Sequence, residues 1–162
     1  MELNSNNGDY VKVDAIDAQI LRILQNDVTV SVNDIAEQVG LSTTPCWRRI
    51  QKLEASGVIQ KRVALLNAEA MGLGTTAFVQ VKAAKHDDKW LKAFAKHASS
   101  FDEVVEFYRM SGEYDYMLKV VVQDLKAFDR FYKNLVSGVD LSDVTSSFAM
   151  EQIKYTTVLP VH

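Results

Sequence analysis

The chain of 162 residues holds one cysteine, two prolines and three histidines, and each scarcity excludes something. The lone thiol, Cys46, can form no internal disulfide; on the packing side of a predicted helix it reads as a small buried hydrophobe, not a redox switch. His86, His97 and His162 lack metal-ligand spacing, and Gly72 and Gly74 make no phosphate-cradling loop. No apolar run approaches the roughly 20 residues that cross a bilayer, and the polar start MELNSNNGDY does not resemble a signal peptide. These absences point away from catalysis, cofactors, metals and membranes, and toward a cytoplasmic protein. What is plentiful is apolar character, 48% of the chain, enough for one core or two small ones.

The stretch SVNDIAEQVGLSTTPCWRRIQKLEASGVI, Ser31 to Ile59, reads as two short helices around a tight break. Ile35, Ala36 and Val39 give the first an apolar face, and Gly40 stops it. Ser42 is the N-cap of the second, and Pro45 falls in its first turn, where a missing N–H does no harm. At about 100° per residue, Cys46, Ile50 and Leu53 share a packing face, while Thr44, Arg48, Gln51 and Lys52 lie opposite. Gly57 ends this helix, and Val58 to Leu66 reads as an extended segment, a wing carrying Lys61 and Arg62.

The chain as a whole carries a net charge of −3, yet Leu41 to Val63 holds Arg48, Arg49, Lys52, Lys61 and Arg62 against the single acid Glu54. A basic face on the second of two helices separated by a glycine turn is the pattern of a helix-turn-helix seated in a DNA major groove. The candidate interface comprises Ser42, Thr43, Thr44, Trp47, Arg48, Arg49, Gln51, Lys52, Lys61 and Arg62. Arg48 and Gln51 are placed to read base edges; Arg49, Lys52, Lys61 and Arg62 to hold phosphates. The competing reading is a helical hairpin with a solvated basic face.

An apolar stripe over Asp14 to Asn26 supplies a third helix behind the motif, so residues 14–66 form a winged helix-turn-helix domain after a flexible 1–13. Residues 67–74 make a hinge. The pattern then becomes mixed: strand Thr75 to Ala84, helix Asp88 to Ala98, strand Glu103 to Met110, a glycine-containing turn, strand Tyr114 to Val122, helix Leu125 to Val136, strand Val144 to Thr156. In the third strand Tyr114, Tyr116, Leu118, Val120 and Val122 are expected on one side. The order βαββαβ predicts an α+β, ferredoxin-like (ACT-like, or RAM) domain over 75–160, with both helices on one sheet face. Apolar residues on both faces of the strands call for another copy of the chain to cover the open one.

Three blocks, LSTTPCWRRIQKLEASGVI, RMSGEYDYMLKV and DVTSSFAMEQIKYTTVLP, resemble the Lrp/AsnC, or feast/famine, family of bacterial transcription factors, from about Asp14 to Pro160. Within it, TTPCW, RMSGEYDY and SDVTSSFAMEQIKYTT look most like the branch that switches on cysteine detoxification. The resemblance implies homodimers assembling into tetramers or octamers on double-stranded DNA, and a small amino-acid effector bound between dimers. It places that effector against Met110, Ser111, Gly112, Tyr114, Asp115 and Tyr116, with Ser142, Asp143 and Thr145 coming from a neighbouring subunit. Chemically, Gly112 would bare N–H groups for a carboxylate, Asp115 would take the ammonium, and the two tyrosines would wall the side chain. Without the resemblance, Asp115 caps a turn and both tyrosines are core. The site has no extra charges for a charged side chain, which favours a short neutral amino acid, cysteine first and leucine or methionine next. A nucleoid-associated regulator, an effector-free architectural DNA binder and a small enzyme remain distinguishable readings; the enzyme lacks any His/carboxylate or Cys/His constellation.

Overall fold

The computed structural model describes residues 11–85 and 87–161, so most of the segment expected to be flexible, together with His86 and His162, lies outside the described residues. The chain groups into two compact units: one runs up to Ala64 and takes in the segment from Lys154, and the other is Leu65–Ile153. The end of the chain, expected to belong with the second domain, thus groups with the first.

In the first unit, α1 is Ala15–Asn26, α2 Val32–Gln38 and α3 Thr43–Ala55. Asp14 starts α1 with a capping box, its carboxylate accepting the Asp17 N–H at 2.8 Å while Asp17 accepts the Asp14 N–H at 3.3 Å. Ser31 caps α2 through its hydroxyl. Ser42 occupies the N-cap position of α3 with extended backbone, but its side chain makes no capping bond. The core is Ile20, Leu21, Ile35, Ala36, Cys46, Ile50 and Leu53, so the packing face expected for α3 is the buried one. Gly40 and Gly57, at φ 69° and 76°, make the two stops that a side chain would strain. The returning segment is held by Gln25, whose amide exchanges bonds of 3.2 and 2.7 Å with the Leu159 backbone, and Val161 packs on this core.

The wing strand is not formed. Val58 and Ile59 pack against the first core and the Ile59 N–H reaches the Leu53 carbonyl at 3.0 Å, but residues 60–66 carry no strand. An extended segment becomes a strand only with a ladder partner, and no strand among the described residues of this unit offers one.

The second unit contains β1 Thr75–Ala83, α4 Asp88–Ala98, β2 Val104–Arg109, β3 Tyr116–Val122, α5 Leu125–Ser137 and β4 Leu141–Phe148. The sheet runs β2-β3-β1-β4, with antiparallel pairs throughout, which is the ferredoxin-like arrangement. Alternation does the sorting: Ala77, Val79 and Val81 of β1 and Tyr116, Leu118 and Val120 of β3 are buried in one core with Trp90 and Phe94 of α4 and Phe128, Phe131 and Leu135 of α5. The other sheet face mixes half-buried Phe78, Met117 and Val121 with a Lys119–Glu106 ion pair of 2.7 Å. It is more polar than expected. Tyr108 of β2, paired with Met117, is 46% exposed there, and further large apolar side chains left in water lie in residues 63–73 and 148–159, with Leu66 73% and Met150 97% exposed.

The last strand ends at Phe148, well short of the expected Thr156, because its partner β1 begins at Thr75: Ala77 faces Phe148, and the Ala149 N–H takes the Thr76 carbonyl at 2.9 Å. Beyond that the neighbour runs out. At the other end the β1–β4 register slips between Lys82 and Ala83, a bulge that leaves Ser142 without a ladder partner.

Candidate nucleic-acid interface and ligand cluster

Helix α3 buries Cys46, Ile50 and Leu53 and presents the opposite side to water. Ser42, Thr43, Thr44, Trp47, Arg48, Gln51 and Lys52 are all exposed, Trp47 at 50%. The Thr43 hydroxyl donates to the Asn33 side-chain carbonyl of α2 at 2.8 Å, pinning the start of α3 to the preceding helix. Burial pushes the Cys46 thiol up and keeps it protonated, against a smaller opposing pull from Arg49.

The five cations divide in a way that spacing did not foretell. Arg49, expected to hold a phosphate, faces α1: its Nη1 lies 2.6 Å from Asp14 and 2.8 Å from Asp17, the one buried charged residue among those described. These bonds raise the Arg49 pKa, and hold the Asp14 carboxyl below its ordinary range after the larger effect of the Asp17 N–H. Arg49 is therefore a strut between α1 and α3. Arg62 pairs with Glu54 at 2.8 Å, and the other Glu54 oxygen accepts the Gln51 amide at 3.1 Å. Arg48, Lys52 and Lys61 are exposed and make no ion pair among the described residues.

In the second unit the loop between β2 and β3 closes through the Met110 N–H to the Asp115 carbonyl at 2.7 Å and the Asp115 N–H to the Val81 carbonyl at 3.0 Å. Gly112 turns it at φ 132°. Met110, Ser111 and Gly112 are exposed. Asp115 uses one carboxylate oxygen to accept the Ala83 N–H at 2.9 Å, so it latches the bulged end of β1. Tyr116 is not a pocket wall but core, 5% exposed, with its ring 5.2 Å from Phe94 and 5.9 Å from Trp90; that burial raises its phenol pKa.

Tyr114 goes the other way. Its hydroxyl lies 3.0 Å from the Thr145 hydroxyl and 3.4 Å from the Asp143 carboxylate, so the loop and the start of β4 meet within one chain. Lys82, which pattern reading passed over, sits 5.2 Å above the Tyr114 ring and 3.3 Å from Glu113. Its signal was its parity: Lys82 faces Asp143 and Gln80 faces Thr145 on the open side of the sheet. Ser142 and Asp143 also line a cleft of about 450 Å³ with Tyr132 and Val136 of α5.

Two family models match the chain: the AsnC-type helix-turn-helix domain over residues 13–54, and the Lrp/AsnC ligand binding domain over residues 76–159, which takes in the segment from Lys154 as the expected 75–160 domain does. The chain belongs to the Lrp/AsnC family. It is 52% identical over 150 residues to the DNA-binding transcriptional activator DecR of Escherichia coli (strain K12), spanning 92% of this chain and 99% of that one. Among solved structures, an AsnC family transcriptional regulator from Agrobacterium tumefaciens superposes with a TM-score of 0.88 at 57% identity, over 91% of this chain and 96% of that one. A transcriptional regulator from Neisseria meningitidis, solved as its L-Met complex, gives 0.87 at 35% identity, over 92% and 97%. This Lrp/AsnC protein is a DNA-binding transcriptional regulator with a ligand-binding domain, not an enzyme. Among the described residues no helix is long and apolar enough to cross a membrane.

Proposed function

We propose that this regulator binds operators through α3 as a homodimer, assembled further into tetramers or octamers, and that a short neutral amino acid bound at the loop before β3 changes how the dimers associate. The observation that carries the DNA half is the division of α3 into a buried face and an exposed one bearing Arg48, Gln51 and Lys52, with Lys61 just beyond. Arg48 and Gln51 read bases, and Lys52 and Lys61 hold phosphates. The exposed Val63, Leu65, Leu66, Met150 and Ile153, 55 to 97% in water, favour assembly, because apolar surface returns about 25 cal/mol per Å² when covered. Two-fold assembly then calls for paired half-sites about one helical turn, or a multiple, apart. The working place of such a protein is the cytoplasm, on the nucleoid.

The ligand half rests on the meeting of Tyr114, Asp143 and Thr145 beside the exposed Gly112 turn. With the Asp115 carboxylate latching Ala83, Asp143 is the better-placed partner for an ammonium, and the Gly112 backbone suits a carboxylate. The Neisseria relative was solved with L-Met, which supports an amino acid of this size. Cysteine is the first candidate, on the resemblance of the three sequence blocks, and leucine and methionine follow. Genome-wide DNA capture with and without these amino acids tests both halves, since effector and DNA affinities are reciprocally linked, typically by about 1 to 3 kcal/mol. Capture indifferent to all twenty amino acids, together with unchanged melting temperatures, would leave an architectural DNA binder. Light scattering that shows a stable monomer at micromolar concentration removes the assembly.

A further inference from the structure

Glu54 is the single acid among the cations of the reading surface, where a negative charge opposes DNA, so its presence asks for a reason. Its carboxylate is divided. Oε2 accepts from Gln51 Nε2 at 3.1 Å, one turn earlier on α3, and Oε1 accepts from Arg62 Nη2 at 2.8 Å. The side chain is only 33% exposed, so Glu54 is itself partly packed in place.

Two physical consequences follow from what a carboxylate is. It accepts and never donates, so it fixes the Gln51 amide with its nitrogen inward and its carbonyl outward. One Nε2 hydrogen stays free. That leaves an acceptor and a donor side by side in one orientation, the pair that suits the N6 amino group and N7 of adenine. An unrestrained glutamine would have to select that orientation on binding and lose side-chain freedom as it did so. The second consequence concerns the segment after Ile59, which has no strand ladder to hold it. The Arg62–Glu54 pair is its side-chain tether to α3, and it brings a second cation beside the reading face.

We infer that Glu54 is a positioning residue for sequence discrimination, which works by presenting the Gln51 amide in a single sense to an adenine while holding Arg62 near α3. This rests on reading α3 as the base-reading helix. The negative charge weakens attraction to every DNA alike, and what it returns is preference at one base pair.

The test is a set of titrations with the full-length chain on its captured operator, on every single-base variant of that operator, and on random DNA. The proteins are the wild type, Glu54→Ala, Gln51→Ala and the double variant. Expected for Glu54→Ala is tighter binding to random DNA, by a few-fold, and a loss of discrimination of about tenfold at one A·T pair, a size ordinary for one base contact. Gln51→Ala should lose discrimination at the same pair. Adding Glu54→Ala to Gln51→Ala should change that pair no further, yet still raise binding to random DNA. If Glu54→Ala raises operator and random binding equally and leaves the base profile intact, Glu54 is a solvated charge and the inference falls while the reading of α3 stands. If Gln51→Ala leaves the profile intact, the base-reading role of Gln51 falls and takes this inference with it.

Discussion

Arg49 decides whether the basic side of α3 is a DNA surface throughout or partly a structural joint. Its guanidinium reaches a half-exposed carboxylate, Asp14, and a nearly buried one, Asp17, whose side chain is 9% exposed. The Asp14 bond is washed by solvent and adds little. The Asp17 bond is different. Removing the guanidinium leaves a mostly buried carboxylate with only the Asp14 N–H at 3.3 Å among its described partners. A fully buried orphaned charge costs about 3 to 5 kcal/mol, but Arg49 is itself a third exposed, so water enters its place and the loss for Arg49→Ala falls to about 1 to 2 kcal/mol. For a unit of this size that lowers the first melting transition by roughly 5 to 15 °C. Arg49→Met keeps the stem and should melt like Arg49→Ala, whereas Arg49→Met with Asp17→Asn removes both charges and should recover most of the loss. The acid limb carries the same signature. Asp14 is depressed on folding, so it contributes stability above its ordinary value of 3.8 that is lost as pH falls below it. Arg49→Met should shrink that acid sensitivity without abolishing it, because the Asp17 N–H is the larger cause. Calorimetric melts from pH 2 to 7 measure both effects. An unchanged melting curve, with weaker DNA binding and a salt slope smaller by about 1, would make Arg49 a phosphate contact and refute the strut.

The other predictions concern the second unit. A Cβ at Gly138 would stand 2.3 Å from the His97 ring, which is held 3.2 and 3.1 Å from the Asn134 and Leu135 carbonyls; Gly138→Ala should cost about 1 to 3 kcal/mol, and His97→Ala in the same chain should relieve it, read by thermal melting. Asp115→Ala should lose the latch on Ala83 and about 1 kcal/mol, with faster amide exchange confined to the bulged end of β1 and β4; exchange unchanged there would dismiss the latch. Tyr116→Ala should cost about 3 to 5 kcal/mol as a core truncation, whereas Tyr114→Ala should barely move the melting temperature yet abolish the calorimetric heat of the amino acid.

The faces of this molecule were legible in its sequence because a face depends on period alone. Cys46, Ile50 and Leu53 recur at helical spacing and are buried; Val79 and Val81, and Leu118 and Val120, alternate and are buried. What pattern could not give was the identity of the partner. Val58 to Leu66 has the composition of a strand, but composition does not supply a neighbouring ladder, and β4 stops where β1 begins even though its sequence continues in kind. Tyr114 and Tyr116 share parity and were expected side by side; parity binds a residue only inside the ladder, which starts at Tyr116, so Tyr114 is free to cross β1 toward Asp143. Arg48 and Arg49 are adjacent and chemically identical, and about 100° of rotation sends one to water and the other to α1. The clue to that second partner was present, since Asp14 and Asp17 sit three apart at the start of a helix, where a cap and its reciprocal acid are expected. A capping box with two acids for its pair leaves surplus negative charge at one spot, and a cation from the neighbouring helix is the cheapest way for a small core to bury it. Surplus charge at a cap is thus a sequence signal in its own right, and here it separates the arginine that ties α3 to α1 from the one left in water.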